Sequence, residues 1–146
     1  MALTHTTAAR NAIADAVRGL IHTNSASGRR PRLVLSATAG GSQIATIFFK
    51  DGANAAFGAA SNGVITMDNS PVPEDSNATG SGSAVAHFQI QHAPASPAAG
   101  ADKTVAGTEV LRGTVATSGA DINLSSTTIN AGDAVRINSL TWTAPA

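Results

Sequence analysis

Apolar residues recur at helical spacing at the start of the chain and alternate with polar ones through most of the rest. Ile13, Val17, Leu20 and Ile21 fall one helical turn apart or side by side, with Ala9, Ala12 and Ala16 filling the same side. Thr4 or Thr6 suits the cap of the first turn. Asn11, Asp15 and Arg18 are expected to face water. This pattern predicts a helix over residues 5–22, stopped by the breaker run Asn24–Gly28.

Strand patterns follow. The run from Arg32 to Thr38 and the run from Ser42 to Lys50 flank Gly40-Gly41, which reads as a hairpin. Leu33 and Leu35 share one face of the first run. Ile44, Thr46 and Phe48 alternate with Ala45, Ile47 and Phe49, so the second strand carries apolar groups on both faces. That predicts a central position, or one partly under the helix. Asn62-Gly63 turns the chain into a strand from Val64 to Met67. Ala84, Ala86, Phe88 and Ile90 alternate with Val85, His87, Gln89 and Gln91, as in a half-exposed strand.

The final third reads as a β-meander. Val110–Ala116 and Asp121–Leu124 are strands, with turns at Thr117–Ala120 and Ala131–Asp133. Val135 and Ile137 alternate on one face of the last strand, but Leu140 and Trp142 are out of phase with them. Either a β-bulge near Asn138-Ser139 restores the phase, or Leu140 and Trp142 face a partner or the helix. The expected core includes Phe48 or Phe49, Phe88, Ile90, Val135, Ile137 and Trp142.

Two stretches lack apolar periodicity and read as long loops: Asp68–Ser83 and Ala93–Ala106. Gly80–Ser83 within the first reads as a flexible hinge. Loops this long in a small domain are often functional. About seven or eight short strands separated by frequent turns predict a mainly β fold, an antiparallel β-sandwich or jelly roll with one N-terminal α-helix. The helix and connector cover residues 1–28 and the sandwich residues 29–146, together a single domain by length.

Composition narrows the function. The chain has 146 residues, no cysteine, and nine Lys+Arg balanced by nine Asp+Glu. Disulfide and thiolate chemistry are excluded, and nothing global favours nucleic acid, which selects for basic domains. Only 12% of residues are charged, about half the usual share of roughly 25%. So weakly charged a surface resists self-association little and suits a protein held in an assembly. No apolar run is long enough to span a membrane, and the N-terminus lacks the pattern of a signal peptide.

Candidate chemistry is sparse. His5, His22, His87 and His92 read as solvated polar residues, with no ligand spacing for a metal. Serines are plentiful but no G-x-S-x-G elbow is present, and Asp51, Asp121 and Asp133 sit singly at turns. No enzymatic activity and no cofactor are expected. The one charge cluster is Arg29, Arg30 and Arg32 around Pro31. It reads either as a solvated connector or as a docking contact to an acidic surface, and is too small for a nucleic-acid claim.

Two segments carry a likeness. The opening MALTHTTAARNAIADAV, with Thr6 to Asn11 at its centre, resembles the start of a family of small structural proteins of tailed bacteriophages. The closing GTVATSGADINLSSTTINAGDAVRINSLTWTAPA, with Ser118 to Thr127, resembles the end of that family. The resemblance implies a virion protein, specifically a capsid decoration or cement protein. Such a protein is made in the host cytoplasm and sits on the outer capsid surface. It is a dimer or trimer that clamps neighbouring copies of the major capsid protein. On that reading the contact candidates are Arg29, Arg30, Arg32, Asp68, Glu74, Asp75, Asp102 and Lys103, drawn from the arginine cluster and the two long loops. The alternative is a phage tail, fibre or adaptor module that binds a receptor or glycan. A glycan site would stack an aromatic ring on sugar, and this chain offers one tryptophan, four phenylalanines and no tyrosine.

Overall fold

A computed structural model describes residues 4–96 and 102–146. The fold is mainly β, rich in antiparallel pairing, with one N-terminal helix.

Helix α1 spans Thr7–Ile21 and is capped by Thr6, whose hydroxyl accepts from the Ala9 N–H. Its inward face is rotated from the expected one. Ala14 and Ile21 are fully buried and Ile13 and Val17 partly so, whereas Leu20 is 57% exposed and Ala12 and Ala16 face solvent. The residues expected in water are turned inward. Asn11 Oδ1 accepts from Gly63 N at 2.6 Å and Asp15 Oδ1 from Ala60 N at 2.9 Å. Arg18 Nε donates to the Phe57 carbonyl at 2.9 Å. The physical reason is the irregular segment 57–63 beside the helix. With few ladder partners of its own, its backbone groups must be satisfied by side chains.

Strands β1 (Arg32–Ser36) and β2 (Gln43–Phe48) form the expected hairpin. β1 also pairs with β6 (His87–Gln91), which pairs with β7 (Glu109–Ala116); β8 (Ile122–Asn123) lies parallel to the end of β7. The five-stranded order is therefore β2-β1-β6-β7-β8. β2 is an edge strand, not a central one. Its outer edge is sealed by side chains: Asp75 Oδ2 accepts from Thr46 N, and Thr79 Oγ1 donates to the Gln43 carbonyl. A capped edge buries both faces of a strand as well as a central position does.

Three short ladders complete the described pairing. β3 (Val64–Thr66) pairs with β11 (Thr141–Thr143), β4 (Glu74–Asp75) with β10 (Val135–Arg136), and β5 (Thr79–Ala84) with β9 (Thr128–Ala131). The stretch Asp68–Ser83 is thus not a plain loop, and Gly80–Ser83 is strand rather than hinge. Glycine is required at position 80, because a Cβ there would lie 2.3 Å from the Ile129 carbonyl oxygen. The other long loop, Ala93–Ala106, has no strand among its described residues, and residues 97–101 lie outside them.

The expected terminal meander is also corrected. β8 runs parallel to β7, and the later strands return to separate mid-chain partners. The phase change before Leu140 comes from a strand break rather than a bulge. β10 ends at Arg136, β11 begins at Thr141, and the two pair with different strands. Leu140 and Trp142 then pack, partly buried, against the same core as Ile137. Of the expected core, Phe49, Phe88, Ile90, Val135 and Ile137 are buried, whereas Phe48 and Trp142 are partly exposed. One cluster joins Ala14 and Ile21 of α1 to Leu33, Ile47, Phe57 and Ile65. Among the described residues no helix is long and apolar enough to cross a membrane.

Candidate functional site

Half of the charged residues singled out in the sequence converge. Arg30, Glu74, Asp75 and Lys103 line one groove of about 600 Å³, together with Phe48 and Lys50. Its walls come from the connector before β1, from β2, and from the stretch leading into β4. Lys103, in the second long loop, closes one side of the groove by reaching back to β4. Its ammonium pairs with Asp75 and donates to the Asn77 carbonyl at 2.8 Å. The two stretches that lacked periodicity thus meet side by side.

Asp75 is the pivot and is only 2% exposed. One carboxylate oxygen accepts from Asn77 N at 3.0 Å and from Lys103. The other accepts from Thr46 N at 2.8 Å. Such full engagement is what a buried carboxylate requires. It fixes β4 against β2 and makes Asp75 structural, so it is corrected as a surface contact candidate.

Arg32 is corrected in the same way. It is 1% exposed, and its Nη1 donates to the carbonyls of Asp102 and Val105 at 2.8 and 2.7 Å. Burial pushes its guanidinium below the ordinary value, and the Asp102 carboxylate offsets part of that shift. Phe48 explains why two cations share this corner. The Arg32 guanidinium carbon lies 4.9 Å from the ring centroid and that of Arg30 5.5 Å, both within cation–π range. Of the cluster, Arg32 is a buried tie and Arg29 donates to the Ala95 carbonyl at 2.9 Å. Arg30 remains as the groove's cation beside the ring.

The remaining candidates are surface pairs. Lys50 bonds Asp68, and this bond with that of Ser70 N holds the Asp68 carboxyl below the usual range. Glu74 pairs with Arg136 across the β4–β10 ladder. Asp102 accepts from the Thr104 hydroxyl and N–H, which lower its pKa. Exposed pairs of this kind contribute little stability, so their charges are free to meet another surface.

One residue escaped sequence reasoning. His22, read as solvated, is 6% exposed at the end of α1. Its Nε2 accepts from Phe57 N at 3.1 Å. Burial, then the Arg18 charge, push its pKa down to about 4, with Asn54 offsetting part of the shift. No local signal marks it, since its partner lies far along the chain. Among the described residues no group of three or more His, Cys, Asp or Glu converges as a metal site would.

The groove can hold a partly charged, partly apolar surface: Pro71, Val72 and Pro73 form an apolar lip, with Val72 41% exposed. Compared with protein families, curated proteins and solved structures, the chain matches none of them.

Proposed function

We propose that this chain is a non-enzymatic structural protein of a phage virion that binds the outer surface of the capsid and stabilises the head. The likeness of its first and last segments to small structural proteins of tailed bacteriophages carries this reading. The groove lined by Arg30, Phe48, Lys50 and Glu74 supports it, as does a surface of low charge. On this reading the partner is the major capsid protein, the protein acts as a dimer or trimer, and its place is the outer capsid surface. The short ladders β3–β11, β4–β10 and β5–β9 then act as the second layer of a sandwich over the five-stranded sheet, giving a rigid body for clamping. Many weak docking contacts add to a durable hold, and binding only the assembled lattice stabilises it by mass action.

The test is to add purified protein to heads that lack it and to isolated capsid subunits. Binding to heads alone, with a rise in the temperature of DNA release, is the expected result. The double variant Arg30→Gln, Lys50→Gln is expected to weaken head binding about tenfold or more while keeping the fold, because both side chains are partly exposed and a partly exposed ion pair contributes little stability. Heads equally heat-resistant with and without bound protein overturn the reading. Location of the protein at the tail alone favours the receptor- or glycan-binding alternative.

A further inference from the structure

A second groove, away from the charged one, lies between β7 and β11. It has a volume of about 260 Å³ and is bordered on one side by Leu111 and Arg112 of β7 and on the other by Leu140–Thr143, which include β11. Ile21, Phe57, Phe88 and Ile90 contribute its apolar lining.

Both bordering strands present open edges to solvent. In a ladder, backbone groups point alternately toward one neighbour and the other. On β11 the Leu140 carbonyl accepts from Met67 N and Ala144 N donates to the Gly63 carbonyl. Even-numbered residues therefore face β3, and the N–H and C=O of Thr141 and Thr143 point away from it. On β7 the Ala116 carbonyl accepts from Leu124 N, and Thr114 N donates to Asp121 Oδ2. The backbone of Arg112 points the same way. Among the described residues nothing bonds the backbone groups of Arg112, Thr141 or Thr143 on these outer edges. β8 covers β7 only at Val115 and Ala116.

We propose that this groove accepts an extended strand from a different protein, which pairs with β7 on one side and β11 on the other and sets alternate apolar side chains on Phe88, Ile90 and Trp142. Three observations select this occupant. Two open edges bordering one groove match the two hydrogen-bonding edges of a single strand. The apolar lining takes a period-two pattern of side chains. The bordering charges are already engaged, Arg112 by Glu109 and Asp121 by the N–H and hydroxyl of Thr114, which suits an uncharged strand. This chain has no free donor among its described residues, since its alternating apolar segments are already paired. The inference rests on backbone geometry and holds whether or not the assembly is a phage head.

Trp142 is the sole tryptophan and lines the groove, so its emission reports occupancy. The probe is a blocked heptapeptide of alternating Thr and Val, titrated into the full chain. A saturable blue shift with half-saturation below about 1 mM is expected, with slowed amide exchange at Arg112, Thr141 and Thr143. The same peptide N-methylated at alternate residues cannot bond one edge, and is expected to bind at least about tenfold more weakly. Arg112→Pro and Thr141→Pro remove outward N–H groups, which edge strands tolerate, and are expected to abolish the shift. No emission change up to several millimolar peptide, or equal binding by the methylated peptide, overturns the proposal. Protection of these amides without peptide, in step with dimer formation, also overturns it and assigns the groove to a second copy of this chain.

Discussion

At the scale of single residues, polar side chains here do work that strands do elsewhere. Asp75 caps the edge of β2, so its loss leaves Thr46 N and Asn77 N without their acceptor and Lys103 without its counter-ion. Asp75→Ala is expected to cost on the order of 3 kcal/mol by urea denaturation. Lys103→Met is expected to cost less, about 2 kcal/mol, since Asp75 keeps both backbone donors but stays buried without its counter-ion. Equal effects, or a cost below about 0.5 kcal/mol for Asp75→Ala, would show that the carboxylate does not hold this edge. His22 makes a second residue-scale prediction. Its folded pKa, about 4, lies below the ordinary histidine value of 6.5. The unfolded chain therefore binds the extra proton first as pH falls, and stability drops between these two values. The full drop is about 3 kcal/mol, from about 1.4 kcal/mol per pH unit. It precedes any loss from Asp68, Asp102 and Asp121, whose lowered pKa values confine their effect to pH below about 4. Urea midpoints at pH 7 and 4.5 check this, and His22→Gln should remove most of the difference. A variant that keeps the full acid sensitivity would assign it to another group.

At the scale of elements, two glycines predict opposite signs. Gly80 in β5 has the Ile129 carbonyl where a Cβ would go, so Gly80→Ala must open the β5–β9 ladder and cost about 2 kcal/mol or more. Gly19 in α1 is exposed with nothing within 4 Å of its would-be Cβ. Gly19→Ala should stabilise by about 0.5–1 kcal/mol. Thermal unfolding of the two variants reads both signs. These elements also divide what the sequence made legible from what it did not. Helix α1 was legible because a cap, a helical period and a breaker run agree. The β1–β2 hairpin and β6 were legible for the same kind of reason, a strict alternation beside a turn. β4, β5 and β9 were not, because a two-residue strand, a Gly-Ser run and a four-residue strand with one large apolar residue carry no hydrophobic period, and their partners lie far along the chain. The inward polar stripe of α1 was misread because Asn11, Asp15 and Arg18 are ordinarily surface residues. Their backbone partners between Phe57 and Gly63 leave no trace in the local pattern. Of the candidate groove, the charged residue types were legible. Their convergence depends on Lys103 crossing to Asp75, a tertiary contact no local rule contains.

At the scale of the whole molecule, the helix is part of the β fold and not an appendage to it. Ala14 and Ile21 belong to the cluster that also holds Phe57, Ile65 and Leu33. Asn11, Asp15, Arg18 and His22 form one stripe along α1 that satisfies backbone groups from Phe57 to Gly63. Removing residues 1–28 would therefore expose the apolar side of β3 and leave those buried backbone groups without partners at once. Each orphaned buried group costs about 1–3 kcal/mol. Several together, with the lost burial, exceed the typical total stability of about 5–15 kcal/mol or come close to it. Residues 29–146 alone are expected to show no cooperative urea transition and to expose Trp142, read as a red-shifted emission. A fragment that unfolds cooperatively, with a midpoint near that of the full chain, would mean that the strands carry the fold and that α1 is a separable arm. The single variants Asn11→Ala and Asp15→Ala distinguish the two pictures without truncation. An integral helix predicts a loss of about 1 kcal/mol for each, since both bonds are part-buried, and an arm predicts none.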